Sequence, residues 1–167
     1  SYEILFSDEP FPHDDNRLFL LREGLVDSLS DAAADFNDLG LIIRVEDAYR
    51  TLEMQKALSF VPGILDRVAE MVRWETDLEH PPPDKLADRL KVLVAWYPKT
   101  AGHMSGAAVD ISVLDLEDGR ELDRGGSYLE LSEKTPMDSP FISQEARNNR
   151  DWDSLPGATA RPAARTV

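Results

Sequence analysis

His103 and Asp110 stand seven positions apart in the stretch PKTAGHMSGAAVDISVLD, residues 98–115. A neutral imidazole and a carboxylate both ligate Zn²⁺, at roughly 2.0–2.2 Å. Gly106 lies between them and permits a sharp backbone turn. The alternating run that follows puts Ala108, Asp110 and Ser112 on one face of a strand and Val109, Ile111 and Val113 on the other. Asp110 would then project from a rigid element whose apolar face is anchored in a core. Spacing alone makes this a weak metal signal, because a lone His and Asp so separated are more often structural or solvated.

A second segment, LIIRVEDAYRT at 41–51, reads as a strand that ends in Asp47-Ala48-Tyr49-Arg50. Together, this DAYR and the later GHMSGAAVD resemble the zinc D-alanyl-D-alanine dipeptidases of the vancomycin-resistance type. These belong to a wider family of bacterial zinc peptidases that cut D-amino-acid bonds in cell-wall peptides. The family signature Ser-x-His-x-x-Gly-x-Ala-x-Asp is met at His103, Gly106, Ala108 and Asp110, and departs at Ala101. The segment 121–150, ELDRGGSYLELSEKTPMDSPFISQEARNNR, is similar to the family's region after the metal loop. The resemblance runs from about residue 15 to Arg150.

The resemblance implies a metallopeptidase that hydrolyses D-alanyl-D-alanine or a related small D,D-dipeptide, with one zinc ion held by His103 and Asp110. It implies that Arg50 stabilises the oxyanion and that Asp138 lies near the substrate's amino end. Read without it, Arg50 is a salt-bridge partner of Asp47, and Asp138 a loop or capping carboxylate. The family also continues into a Glu-x-x-His that supplies the acid/base and the third zinc ligand. Here 151–167 reads DWDSLPGATARPAARTV, and the three histidines are His13, His80 and His103. The expectation is weak zinc binding with slow or no turnover, and a truncated or frame-shifted C-terminus. His13 and His80 read as surface loop residues, Tyr49, Tyr128, Trp96 and Trp152 mainly as packing, and Glu121, Glu130 and Glu133 as remote stand-in bases. Two other readings stay open: a non-catalytic binding domain for a cell-wall peptide, and an acidic domain that binds a basic protein.

The elements that must position these groups follow from periodicity. Residues 1–14 read as an extended entry punctuated by proline. Asp14 or Asp15 caps a helix from about Asn16, with Leu18, Leu21, Leu25, Leu29 and Phe36 on one stripe and Gly40 as its stop. The strand 41–47 comes next. Helices are predicted over 52–60, after Gly63, and after Pro81-Pro82-Pro83, the last with Leu86, Leu90 and Leu93 inward. Asp118-Gly119 supplies a hairpin turn beyond the Asp110 strand. Helices followed by ligand-bearing strands predict an α+β fold with an antiparallel sheet that carries the metal site. One domain is expected over 1–150, with 151–167 an atypical, disordered tail.

The formal charge of −14 disfavours nucleic acid and anionic membranes as partners. No apolar run approaches the ~20 residues that span a bilayer. The absence of cysteine removes disulfides and thiolate ligands and fits a reducing compartment. With no basic-then-apolar leader in view, a cytoplasmic location is expected. Loss of a final strand would leave a sheet edge open to self-association.

Overall fold

Leu41, Ile43 and Val45 alternate with Ile42, Arg44 and Glu46, and seven consecutive residues follow that period as strand β2, Leu41–Asp47. A computed structural model describes residues 2–9, 16–60, 63–94, 101–130 and 132–151. Five helices and a three-stranded sheet among these residues make an α+β domain. The sheet order is β1-β2-β3, with β1 at Ile4–Phe6 and β3 at Asp110–Asp115. Strands β2 and β3 pair antiparallel, as expected. β1 runs parallel to β2, so the sheet is mixed rather than purely antiparallel. Chain geometry explains the difference, because the long helix α1, Glu23–Asp38, intervenes between β1 and β2 and returns the chain to the same end of the sheet.

The core lies between α1 and one sheet face. Ala33 and Phe36 of α1 pack on Leu41, Ile43 and Val45, with Val109, Ile111 and Val113 against the same cluster. The predicted apolar face of β3 thus meets this core half-buried, whereas the fully buried residues of β3, Ser112 and Leu114, lie on the Asp110 face. α1 begins later than its apolar stripe suggests. The backbone of Leu18 bridges to Tyr49 and the N–H of Arg22 donates to Gly106, which ties 18–22 to other elements instead of a helical turn.

Past Arg50, the Thr51 side chain caps α2, Leu52–Ala57, by accepting from the Met54 amide, and a 3₁₀ turn completes the segment to Phe60. Helix α3, Ile64–Thr76, buries Val68, Met71 and Val72. Helix α4, Pro83–Val94, starts within the Pro81–Pro83 run, with Leu86 and Leu90 half-buried. Helix α5, Gln144–Arg150, is capped by Ser143. Gly119 has the expected positive φ, 71°. Only Glu121 bridges back to Leu114, so the second arm of the hairpin is one bridge long. His13, Trp96, Trp152 and the tail from 152 onward lie outside the described residues. No helix among the described residues is long and apolar enough to cross a membrane.

Candidate metal centre

The ends of β2 and β3 meet at an irregularity in the ladder. Val45 pairs with Ile111, yet Asp47 rather than Glu46 pairs with Asp110. One extra residue on β2 is a bulge, which re-aims the side chains beyond it. It sets two carboxylates opposite one another across the sheet. Left alone they would repel, and Arg50 lies between them. Its Nε donates to Asp47 Oδ2 at 2.6 Å and its Nη2 to Asp110 Oδ2 at 2.8 Å. Asp47 is fully buried, with Oδ1 accepting from the Ala48 amide, and Arg50 is 7% exposed. The salt bridge to Asp47 and the place beside Asp110 are thus held by one guanidinium at once.

His103 enters on a short 3₁₀ turn, His103–Ser105, that Gly106 terminates with φ +67°. The turn is fastened to residues before α1, because Gly106 O accepts from the Arg22 amide and Ser105 O from Arg22 Nε. A side chain at 106 would meet only ordinary contacts, the nearest at 3.5 Å. The requirement for glycine is therefore conformational, and a β-branched residue in that region costs on the order of 1–3 kcal/mol. Gly106→Val is accordingly expected to lower the denaturation midpoint and weaken metal retention, both read by thermal melts with and without added metal.

The imidazole itself is oriented by the backbone. His103 Nδ1 lies 2.6 Å from the carbonyl of Ala48. A carbonyl only accepts, so Nδ1 carries the hydrogen and the lone pair of the neutral ring sits on Nε2. Nε2 is 3.4 Å from Asp110 Oδ1. Oδ2 of Asp110 is occupied separately, by Arg50 and by the hydroxyl of Tyr128 at 3.2 Å. Asp47, His103 and Asp110 each offer a ligand atom, all within 4.8 Å of one another, and the group can hold a metal ion.

Burial works against ionising His103, but the hydrogen bond and charge of Asp110 outweigh it and raise its pKa. Asp110 is pushed up by burial, yet His103, Arg50 and Tyr128 hold it below the usual carboxylate range. Burial and the nearby charges of Asp110 and Asp47 push the Tyr128 phenol up, so it stays a donor. A metal must displace the proton from Nε2, and that proton is held to a higher pH than on a free imidazole. Metal affinity is therefore expected to fall as pH drops below the raised value, by up to about tenfold per pH unit, measurable by competition with a chromophoric chelator.

His103, Asp110 and Arg50 are thus brought together. Asp138 is exposed on the loop 132–140 and is not a member of the three-residue group. His80 is exposed in the bend before Pro81. Glu121 pairs with Arg44 and Arg124, and Glu130 accepts from Ser127 and Ser132. Three contributors escaped the sequence reading: Asp47 as a third potential ligand, Tyr128 as a donor to Asp110, and Arg17, whose Nη1 lies 3.9 Å from Asp47 Oδ2. The spacing of Asp47 from Arg50 was the one available signal. No family model, curated protein or solved structure matches the chain.

Proposed function

We propose that this chain carries a zinc peptidase centre of the D-alanyl-D-alanine dipeptidase type, directed at a small D,D-dipeptide. The observation that supports this most is the 3.4 Å separation of His103 Nε2 and Asp110 Oδ1. Two ligand atoms on tetrahedral arms of ~2.0–2.1 Å lie about 3.4 Å apart, so this pair is spaced for zinc. The donor chemistry agrees, with one imidazole nitrogen, one carboxylate oxygen, and the second imidazole nitrogen tied to a carbonyl. His103 and Asp110 would hold the ion. Asp47, already bonded to Arg50, is the third group within reach.

When bound, zinc lowers the pKa of a coordinated water towards ~7 and so makes hydroxide available near neutrality. The chain's own residues supply the rest. Ala48 O fixes the imidazole, and Tyr128 and Arg50 hold Asp110 Oδ2 so that Oδ1 remains for the ion. Arg50, immobilised on two carboxylates, offers a fixed cation to the oxygen of a peptide carbonyl as it gains charge. Such a group is worth roughly 3–4 kcal/mol in comparable oxyanion sites. Asp138 adjoins Met137, which lines a pocket beside Tyr128, and would lie towards the substrate's amino end. No glutamate belongs to the three-residue group.

The test is the purified chain's zinc content together with release of D-alanine from D-alanyl-D-alanine. Bound zinc and chelator-sensitive release support the proposal. Dipeptide binding without release would mark a binding domain, and neither zinc nor dipeptide binding would end the peptidase reading.

A further inference from the structure

A cavity of about 270 Å³ is lined by residues from 124–137 and by Arg150, Tyr128 among them. Tyr128 forms part of its wall and donates to Asp110 Oδ2, so cavity and metal centre share this residue. Its volume falls just below the ~300 Å³ at which pockets begin to accept whole small ligands, which suits a side chain of a larger one. An alanine methyl group would leave it largely empty.

Charge in this cavity runs against that of the chain. The sequence carries −14 overall, yet Arg124, Lys134 and Arg150 line the wall against a single acid, Glu130. The two arginines are committed to structure. Arg150 donates to the carbonyls of Arg124, Pro136 and Lys134 at 2.6–2.7 Å, and Arg124 to Ile111 O and Ser112 Oγ at 3.0 Å. They fix the loop and add positive potential without offering a ligand site. Glu130 is folded back over Gly126 and accepts from the Ser127 amide and the Ser132 hydroxyl. The half-buried Lys134 differs, since its ammonium makes no hydrogen bond or ion pair within 4 Å of a described residue and acts on Glu130 and Asp123 only through longer-range charge. Leu129 and Met137 give the same cavity an exposed apolar wall, and Leu129 is held there at φ +64°. Such a conformation costs a non-glycine residue on the order of 1–3 kcal/mol and persists only where its surroundings hold it.

We propose that this cavity is a subsite for an acidic side chain next to the scissile bond, its carboxylate on Lys134 and its methylenes on Leu129 and Met137. The preferred substrates are then dipeptides with a glutamyl-sized acid rather than two alanines. This rests on the peptidase reading of the metal centre. A cation in a concave, partly desolvated wall attracts a carboxylate more strongly than an exposed one does.

The experiment is calorimetric titration of the zinc-supplemented chain with D-alanyl-D-alanine, D-glutamyl-D-alanine and D-alanyl-D-glutamate, so that no turnover is required. At least one acidic dipeptide should bind on the order of tenfold more tightly than D-alanyl-D-alanine. Lys134→Ala should bring that ratio near one, and Lys134→Arg should keep most of it. Equal affinities for all three, or a preference that survives Lys134→Ala, overturns the subsite and leaves the metal centre standing. Zinc uptake with no dipeptide bound also overturns the subsite, whereas failure to take up zinc removes the peptidase reading beneath it.

Discussion

Asp110→Ala is expected to lower zinc affinity by at least about two orders of magnitude and to abolish any dipeptide hydrolysis. Loss of an outer-shell group typically costs 10–100-fold in metal affinity, and removal of a ligand costs no less. Asp110 also accepts from Arg50 and Tyr128 through the oxygen that does not face His103, so its loss releases both. Its side chain is one-third exposed, and water can take up part of that loss, so the effect on folding should be smaller than the effect on metal. Zinc titration monitored by chelator competition, run beside a thermal melt, separates the two. A variant that binds zinc like the parent chain would remove Asp110 from the centre.

The second large effect concerns folding. Asp47 is fully buried, accepts from Arg50 Nε at 2.6 Å, and has Arg17 Nη1 at 3.9 Å. Removing one partner of a buried pair costs about 3–5 kcal/mol when the other charge is left bare, and Arg50 here keeps its bond to the one-third-exposed Asp110. Asp47→Ala should therefore destabilise the chain by about 3 kcal/mol, the lower end of that range. For a domain of this size this lowers the midpoint by roughly 6–12 °C. Asp47→Asn keeps an acceptor for the Ala48 amide and should lose less. The double variant Asp47→Leu with Arg50→Met should be more stable than Asp47→Ala, because the buried Arg50 charge goes with its partner. Chemical denaturation of the three variants measures this. A midpoint for Asp47→Ala within about 1 kcal/mol of the parent would show that the pair is not held as described.

Much of the framework was legible because single elements carry their own period. The alternation Leu41, Ile43, Val45 marks β2 to the residue, and Val109, Ile111, Val113 mark the β3 face that meets α1, but not the deeper burial of Ser112 and Leu114 on its other face. α3 followed from Val68, Met71 and Val72, which the structure buries together. Signals that depend on remote partners were not legible. The stripe from Leu18 to Leu25 looks continuous with α1, yet a bridge to Tyr49 and a hydrogen bond to Gly106 draw its first part away. β1 has three residues and no period of its own, and only its pairing with Ile43–Val45 makes it a strand.

The site divides in the same way. His103 and Asp110 share one loop and strand, so their meeting is nearly local, while Gly106 between them reports the turn. The place of Asp47 opposite Asp110 depends on a bulge, a property of two strands in register that neither strand shows alone. Tyr128 was read as packing because its contact with Asp110 spans eighteen positions and passes through no repeating pattern. Asp138 was placed on resemblance alone, and its exposed loop position gives it no tie to the three-residue group.

The most direct measurement is the ¹⁵N spectrum of the histidine rings as zinc is added to the purified chain. At a pH above the raised pKa of His103, its ring should show Nδ1 protonated, on the Ala48 carbonyl, and Nε2 bearing the lone pair before addition. One equivalent of zinc should then move the Nε2 resonance of His103 and leave that of His80 in place. Zinc that leaves the His103 ring unchanged, or that binds through its Nδ1, would contradict the account.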